Sequence, residues 1–243
     1  SAISIFNPVL TSTVGAGRAN DFSGTLATDR QAEAETLAGY VLDQIELTPQ
    51  WKLLAGARYD EFKVKQDDRI TNTNDLDRTD RIWSPRAGVV WQPAETQSYY
   101  LSYGSSFNPS AESFNLSTAT ATLEPEKNRN LEIGAKLDLH DRLSATAALF
   151  RLEKTNARTA HPNDPTFQVL AGEQRTDGVE LGLAGTILPG WNISFAYAWL
   201  DAQNVKSNTT QIGTVSGAVK SLQGKHLTNV PDHIGALWRS HRF

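Results

Sequence analysis

Cysteine and methionine are both absent from this chain of 243 residues. Without cysteine the chain can form no disulfide, no thiolate metal site and no cysteine nucleophile. Histidine is present, but its spacing does not match metal-ligand patterns. We therefore expect no metal site and no directly bound cofactor, and assign ordinary structural or surface roles to the histidines at His140, His161, His226, His233 and His241.

Long apolar runs are also absent, and no stretch reaches the 18 or more residues that a membrane-spanning helix needs. The hydrophobic fraction is only 39% and the mean hydropathy is −0.40. Such values are low for a water-soluble domain but suit a membrane β-barrel, in which only every second residue of a strand faces lipid. The net charge of −4 gives no footprint for a nucleic-acid partner.

The sequence begins at Ser1 with no positively charged or apolar leader. We expect an internal or processed fragment, with residues 1–34 forming the end of an earlier external loop. The terminal Phe243 follows alternating charged residues, so we interpret it as a break within a longer barrel.

Alternation of apolar and polar residues is the main structural signal. In Trp51–Tyr59, Leu131–Leu139 and Trp191–Trp199 the apolar side chains fall on every second position, which predicts half-buried strands. About nine strands are predicted, near residues 36–47, 51–63, 82–92, 97–106, 126–138, 143–155, 174–187, 191–203 and 228–239. Most have ten or more residues, the length of a tilted membrane strand and not of an ordinary strand in a globular domain.

The connections between these strands alternate strictly between short and long. Short ones are predicted near residues 48–50, 93–96, 140–142 and 188–190, and long polar ones near 64–81, 107–125, 156–173 and 204–227. Outer-membrane barrels have short periplasmic turns and longer extracellular loops, whereas a soluble sandwich has no reason to keep this order.

Aromatic side chains cluster near the ends of the predicted strands, as in the girdles of membrane barrels. They are Trp51, Trp91, Trp191, Trp199, Tyr59, Tyr99, Tyr103 and Tyr197. The opposite face carries Arg58, Asp60, Glu132 and Lys136, so we predict a polar lumen too wide for side chains to fill. The fold class is therefore all-β, part of a large antiparallel transmembrane barrel.

A series of short runs occurs in a fixed order along almost the whole chain: Tyr40–Leu47, Trp51–Asp60, Ser84–Pro93, Leu123–Lys136, Gly178–Leu181 and Pro189–Asn192. Together they resemble the mid-barrel strands of TonB-dependent outer-membrane siderophore receptors. Within that family, Ser106–Glu112 resembles the catecholate-siderophore branch.

The resemblance implies a barrel of twenty-two strands around an N-terminal plug domain. Residues 1–243 would then be one partial receptor β-barrel domain, lacking the plug and the terminal strands. The implied function is binding of ferric siderophores at extracellular loops of the bacterial outer membrane and their import by TonB-coupled active transport. Implied partners are the ferric siderophore, the TonB–ExbB–ExbD complex acting through the missing N-terminal region, and outer-membrane lipid and lipopolysaccharide.

Ligand-binding candidates are the polar, cationic and aromatic residues of the predicted loops, since a bulky anionic iron complex favours charge contacts and stacking. They are Phe107, Asn108 and Phe114 in one predicted loop, Arg158 and His161 in the next, and Gln174 and Arg175 at the start of the following strand. Each could equally be a solvated loop residue or one that faces lipopolysaccharide.

Several other functions remain open from the sequence. A passive porin-type channel, or TonB-dependent uptake of vitamin B12 or of a metal or sugar complex, would use the same architecture. A soluble all-β binding protein would need no detergent for extraction. We expect no enzyme, because Gly15–Gly17 lacks the context of a phosphate loop and Ser102–Ser106 lacks that of a nucleophile elbow.

Overall fold

Antiparallel strands make up most of the described chain. The computed structural model describes residues 30–68, 76–109, 124–140, 142–161, 168–212 and 219–241. Within these ranges there are eleven strands and no helix. They are β1 (Arg30–Glu46), β2 (Trp51–Asp68), β3 (Leu76–Ala94), β4 (Gln97–Asn108), β5 (Glu126–His140), β6 (Leu143–Ala160), β7 (Gln168–Leu188), β8 (Trp191–Lys206), β9 (Thr210–Ile212), β10 (Val219–Ser221) and β11 (His233–His241).

Nine of the strands form one open sheet in the order β1-β2-β3-β4-β5-β6-β7-β8-β11, each pair antiparallel. Because neighbours in sequence are neighbours in space, the sheet is a simple meander whose two outer strands, β1 and β11, have one unpaired edge each. The predicted all-β, antiparallel architecture of about nine strands is confirmed. The described residues contain no helix long and apolar enough to cross a membrane.

Side chains separate by odd and even number on the two faces of β1 to β8. The odd-numbered face, here called the lipid face, exposes large apolar residues such as Val41 (67%), Ile133 (56%) and Leu149 (55%). The even-numbered face, here called the lumen face, carries charged pairs such as Arg58 with Asp60. The same parity holds from strand to strand because the register pairs even with even along most of each ladder. A sheet with one apolar and one polar face matches the wall of a membrane barrel.

Aromatic residues on the lipid face mark two levels. Trp51 stacks on Trp91 with ring centroids 5.9 Å apart, and Trp91 lies 5.4 Å from Tyr99, all near the short turns. At the opposite level Tyr59 and Trp83 are 5.1 Å apart. The eight steps from Trp51 to Tyr59 extend about 26 Å along the strand, or about 20 Å in height at the usual tilt. This spacing suits the apolar band of an outer-membrane barrel.

Most strands extend further toward the long connections than the sequence predicts. β1 begins at Arg30 instead of 36, β2 ends at Asp68 instead of 63, and β3 begins at Leu76 instead of 82. Above the outer aromatic level, polar side chains occupy both faces: Glu61, on the lipid-face side, accepts hydrogen bonds from Lys63 and Arg81, which lower its pKa to about 2. Period-2 hydropathy disappears there although the ladder continues.

The connection predicted at 204–227 has structure of its own, which the sequence did not reveal. Within it β9 and β10 form a separate hairpin, and residues 207–209 contact the end of β6. The hydroxyl of Thr159 accepts a hydrogen bond from the backbone N of Asn208 (2.9 Å) and lies 3.0 Å from the hydroxyl of Thr209. The strand predicted at 228–239 was also displaced, since β11 begins only at His233.

Candidate ligand-binding surface

The first two ligand-binding candidates, which were predicted to lie in a loop, lie in a strand. Phe107 and Asn108 are the last two residues of β4, where they pair with Lys127 and Glu126. Their placement in a loop was wrong, because β4 remains hydrogen-bonded to β5 beyond the apolar band. Adjacent strand residues point to opposite faces, so Asn108 lies on the lumen face and Phe107 on the lipid face. Phe114, the third candidate of this group, lies outside the described residues.

Arg158 also belongs to a strand, within β6, and His161 follows directly after that strand. Both are half-buried. The backbone of β6 bends here at Asn156, which has a φ of 56° and a shift of register against β7. The backbone N of Arg158 donates a 3.4 Å hydrogen bond to Oε1 of Glu126 on β5. The side chain of Glu126 therefore links the end of β5 to β6 beside Arg158, just past the irregularity at Asn156.

Gln174 and Arg175 do not start a strand, as predicted, but lie six and seven residues inside β7. Gln174, on the lumen face, donates to Oδ1 of Asn204 at 3.5 Å. Arg175, on the lipid-face side, forms a 3.2 Å ion pair with Asp177. The six described candidates therefore do not form one cluster, since the alternation of β4 and β7 sends neighbouring members to opposite faces.

The lumen face carries polar side chains at every level between the two rims. Lys52 pairs with Glu46 at 3.3 Å and Arg78 with Asp80 at 2.6 Å. Higher on β5 and β6, Lys154 pairs with Glu126. In a small barrel these positions would be filled by packed apolar groups. Here they form a wall that water or a polar inserted domain can contact.

Between β4 and β5, Tyr100 donates a 2.5 Å hydrogen bond to Glu132. An open hollow of about 790 Å³ lies here, lined by Tyr100, Glu132 and Lys136 among others. None of the sequence candidates lines it. The described part of the chain contains no group of three or more His, Asp or Glu side chains arranged to hold a metal ion.

Three lumen-face residues of β1 to β3 were not singled out as ligand-binding candidates. Tyr40, Arg58 and Arg86 line a hollow of about 500 Å³. The available signal was parity: counting in twos from the aromatic Trp51 and Trp91 places Arg58 and Arg86 on the face opposite to the girdle. From the sequence, Arg58 is predicted only to belong to the polar lumen face.

Comparison with protein families identifies the fold. Residues 4–243 match the family described as TonB dependent receptor-like, beta-barrel. The chain belongs to this family. It is therefore part of a receptor barrel of the bacterial outer membrane, and the resemblance drawn from the short sequence runs is confirmed. The family consists of receptors and transporters and not of enzymes.

Two relatives are named as receptors, one for siderophores and one for metal-pseudopaline. The chain is 33% identical over 226 residues to a probable TonB-dependent siderophore receptor, PiuA, of Acinetobacter baumannii, covering 88% of the chain and 30% of that protein. It is 32% identical over 219 residues to the metal-pseudopaline receptor CntO of Pseudomonas aeruginosa, covering 87% and 29%. The chain thus spans less than a third of these relatives.

Solved structures of receptors contain the same sheet of antiparallel strands. The crystal structure of PiuA from Acinetobacter baumannii superposes with a TM-score of 0.78 at 33% identity, over 88% of this chain and 32% of that one. The ferric-catecholate import receptor Fiu from E. coli K12 superposes with a TM-score of 0.74 at 23% identity, over 88% and 33%. The second likeness supports the fold alone.

Proposed function

We propose that the complete protein is an outer-membrane receptor that binds ferric siderophores on the extracellular side and imports them with energy supplied through TonB. The observation that carries this proposal is the two-faced sheet of a TonB-dependent receptor barrel, apolar outside and charged inside. The names of the relatives at 32–33% identity, a siderophore receptor and a metal-pseudopaline receptor, support the class of ligand.

The polar lumen face supports a plugged barrel. A wide polar lumen left open would leak solutes, so an inserted domain outside this chain must close it. A closed lumen cannot pass a bulky complex passively, and the outer membrane stores no energy of its own. Coupling to an inner-membrane complex, TonB–ExbB–ExbD, through a part of the receptor outside this chain meets this need. Residues 1–243 are then one partial barrel domain with no catalytic role and no resident cofactor.

The capture surface is proposed at the end of the sheet that bears the long connections. Asn108 and Gln174 lie there on the lumen face, with Arg158 and His161 beside the bend at Asn156. Phe107 and Arg175 lie on the other face. On that face they contact lipid or lipopolysaccharide and not an iron complex in the lumen.

Uptake of iron-55 by cells tests the proposal. Cells lacking other siderophore receptors but expressing the complete protein should accumulate iron-55 from a ferric catecholate complex, and an otherwise identical strain without TonB should not. Accumulation that persists without TonB would instead support the passive channel. Equal amounts of receptor in the two outer membranes, checked by immunoblot, are the necessary control.

A second ligand class is favoured by one observation. The metal-pseudopaline receptor is as similar to this chain as the siderophore receptor is, at 32% against 33% identity. Uptake of a nickel-63 or zinc-65 chelate, with no TonB-dependent uptake of iron complexes, would select a metal-chelate receptor on the same barrel.

A further inference from the structure

Arg86 occupies an unusually open position on the lumen face of β3. Its partner in the register is Gly56 on one side, in β2, and Gly104 on the other side, in β4. Neither partner has a side chain, and the side chain that lies over Gly56 is that of the apolar Leu42, which cannot pair with the guanidinium. Glycine inside a strand weakens the strand, and it often marks a place that a ligand or another backbone approaches.

The two glycines differ in what they do for the barrel itself. A Cβ at Gly56 would overlap the backbone of Val41 and the side chain of Leu42, so packing between β1 and β2 explains this glycine. A Cβ at Gly104 would meet no described atom within 4 Å. Contacts within the described sheet therefore do not require glycine at position 104. A glycine here does leave open space beside Arg86.

A second cation is held in place next to this opening. Nε and Nη2 of Arg58 donate to both carboxylate oxygens of Asp60 at 2.8–2.9 Å, and Asp60 is buried with 4% exposure. The guanidinium is thereby oriented while its side chain stays 48% exposed. Tyr40, opposite Arg58 in the register, exposes its phenol on the same side of the sheet.

The charge of this hollow is positive. Two arginines face one carboxylate, that of Asp60. Among the described residues no carboxylate forms an ion pair with Arg86. The other lumen-face carboxylates nearby already have partners: Asp80 is paired with Arg78, Glu46 with Lys52, and Glu132 is bonded to Tyr100. The hollow is a concave part of the wall that opens to the lumen, and its volume of about 500 Å³ includes open solvent.

We propose that Arg86, Arg58 and Tyr40 form an anion-binding subsite on the barrel wall that contacts an anionic, oxygen-rich iron chelate during its passage through the lumen. This inference rests on the proposed function. Arg86 lies five residues from Trp91 of the inner aromatic level, so the subsite lies between the two girdles, below the capture surface. Arginine suits this role because its planar fork matches carboxylate and catecholate oxygens.

The test separates capture from passage in the complete receptor. Arg86→Gln should leave binding of ferric 2,3-dihydroxybenzoate to TonB-deficient cells within about two-fold of the unmutated receptor. In cells with TonB, its uptake rate should fall by about five- to ten-fold, as expected for the loss of one charge-assisted contact. Arg86→Lys should restore part of the rate. Arg142→Gln, at a periplasmic turn, is the matched control and should not change uptake.

A steric variant tests the open space independently. Gly104→Leu would place a side chain beside Arg86, its added Cβ having no described atom within 4 Å, and it should slow uptake. Gly39→Leu, on the lipid face, likewise adds a Cβ with no described atom within 4 Å, and it should not slow uptake. Heat-modifiability on gels verifies that each barrel has folded.

Three results would overturn the subsite. Unchanged uptake in Arg86→Gln would show that Arg86 does not contact the chelate during its passage. Vancomycin entry in that variant would assign Arg86 to docking of the inserted domain instead. Equal loss of surface binding and uptake would place Arg86 in the capture surface. Failure of the proposed function looks different, because then the unmutated receptor itself would show no TonB-dependent uptake, and the subsite would fall with it.

Discussion

Tyr100 on β4 donates a 2.5 Å hydrogen bond to Oε1 of Glu132 on β5, on the lumen face of the sheet. The ring of Tyr100 lies over Gly134, where a Cβ would overlap it. The glycine thus permits the tyrosine to lie across its neighbouring strand and reach the carboxylate one repeat further along. Sequence alternation alone places all three residues on this face, but not in this contact.

Tyr100→Phe should lower the free energy of unfolding of the complete receptor by about 1–2 kcal/mol, because a half-buried carboxylate loses its donor. Urea unfolding in lipid vesicles measures the change. Tyr99→Phe is the control, since that hydroxyl makes only a 3.4 Å contact with Gln97 on the lipid face. The bond contributes nothing to stability if both variants unfold at the same urea concentration.

The lipid face makes a second prediction. Ile133→Arg or Phe195→Arg should impair barrel assembly at a cost of about 2–4 kcal/mol, if the site is near the bilayer midplane. Ser194→Arg should be much milder, because Ser194 lies on the lumen face next to Phe195 in β8. Heat-modifiability on gels compares the three variants. Equal damage in all three would contradict the assignment of the faces.

The membrane-spanning part of the sheet could be predicted from sequence because lipid and water impose opposite demands on alternate residues. Trp51 to Tyr59 shows this pattern at every step. Beyond the girdles both faces are wet, so β2 continues to Asp68 on backbone hydrogen bonds that leave no trace in hydropathy.

The candidate surface was harder to predict, since a loop and a solvated strand have similar compositions. Assigning 107–125 and 156–173 to loops hid the alternation that separates Phe107 from Asn108. Counting in twos from the lipid-facing Tyr103 places Phe107 on the lipid face and Asn108 on the lumen face. The bend at Asn156, in contrast, depends on a left-handed residue that no periodic pattern in the sequence predicts.

Gly178 gives a prediction about packing on the lumen face. A Cβ at this position would overlap the ring of Phe150, its register partner on β6. Gly178→Ala should therefore cost about 1–3 kcal/mol of overpacking, measured by urea unfolding, and Phe150→Leu in the same chain should recover most of it. Gly39→Ala, with nothing within 4 Å of the added Cβ, is the matched control. No recovery in the double variant would mean that the backbone of β7, and not the ring, resists the substitution.

Arg175 and Gln174 are neighbours in β7 that should differ in their effect on ligand affinity. From sequence alone, replacing Arg158 and Arg175 together by Ala predicts a loss of about ten-fold in affinity for a ferric siderophore. The structure predicts that Arg175 contributes little to this loss of affinity, because it lies on the lipid-face side and is paired with Asp177 at 3.2 Å. Gln174 lies on the lumen face, beside Asn204.

We therefore expect Arg175→Ala to leave the dissociation constant of ferric 2,3-dihydroxybenzoate on TonB-deficient cells within about two-fold. Gln174→Ala should raise it by about three- to ten-fold, the effect of one lost polar contact. Arg158→Ala, measured alone, reports whether the bend at Asn156 presents that guanidinium to the ligand. A large effect of Arg175 with none of Gln174 would mean that the complex binds outside the lumen mouth, against the outer side of β7.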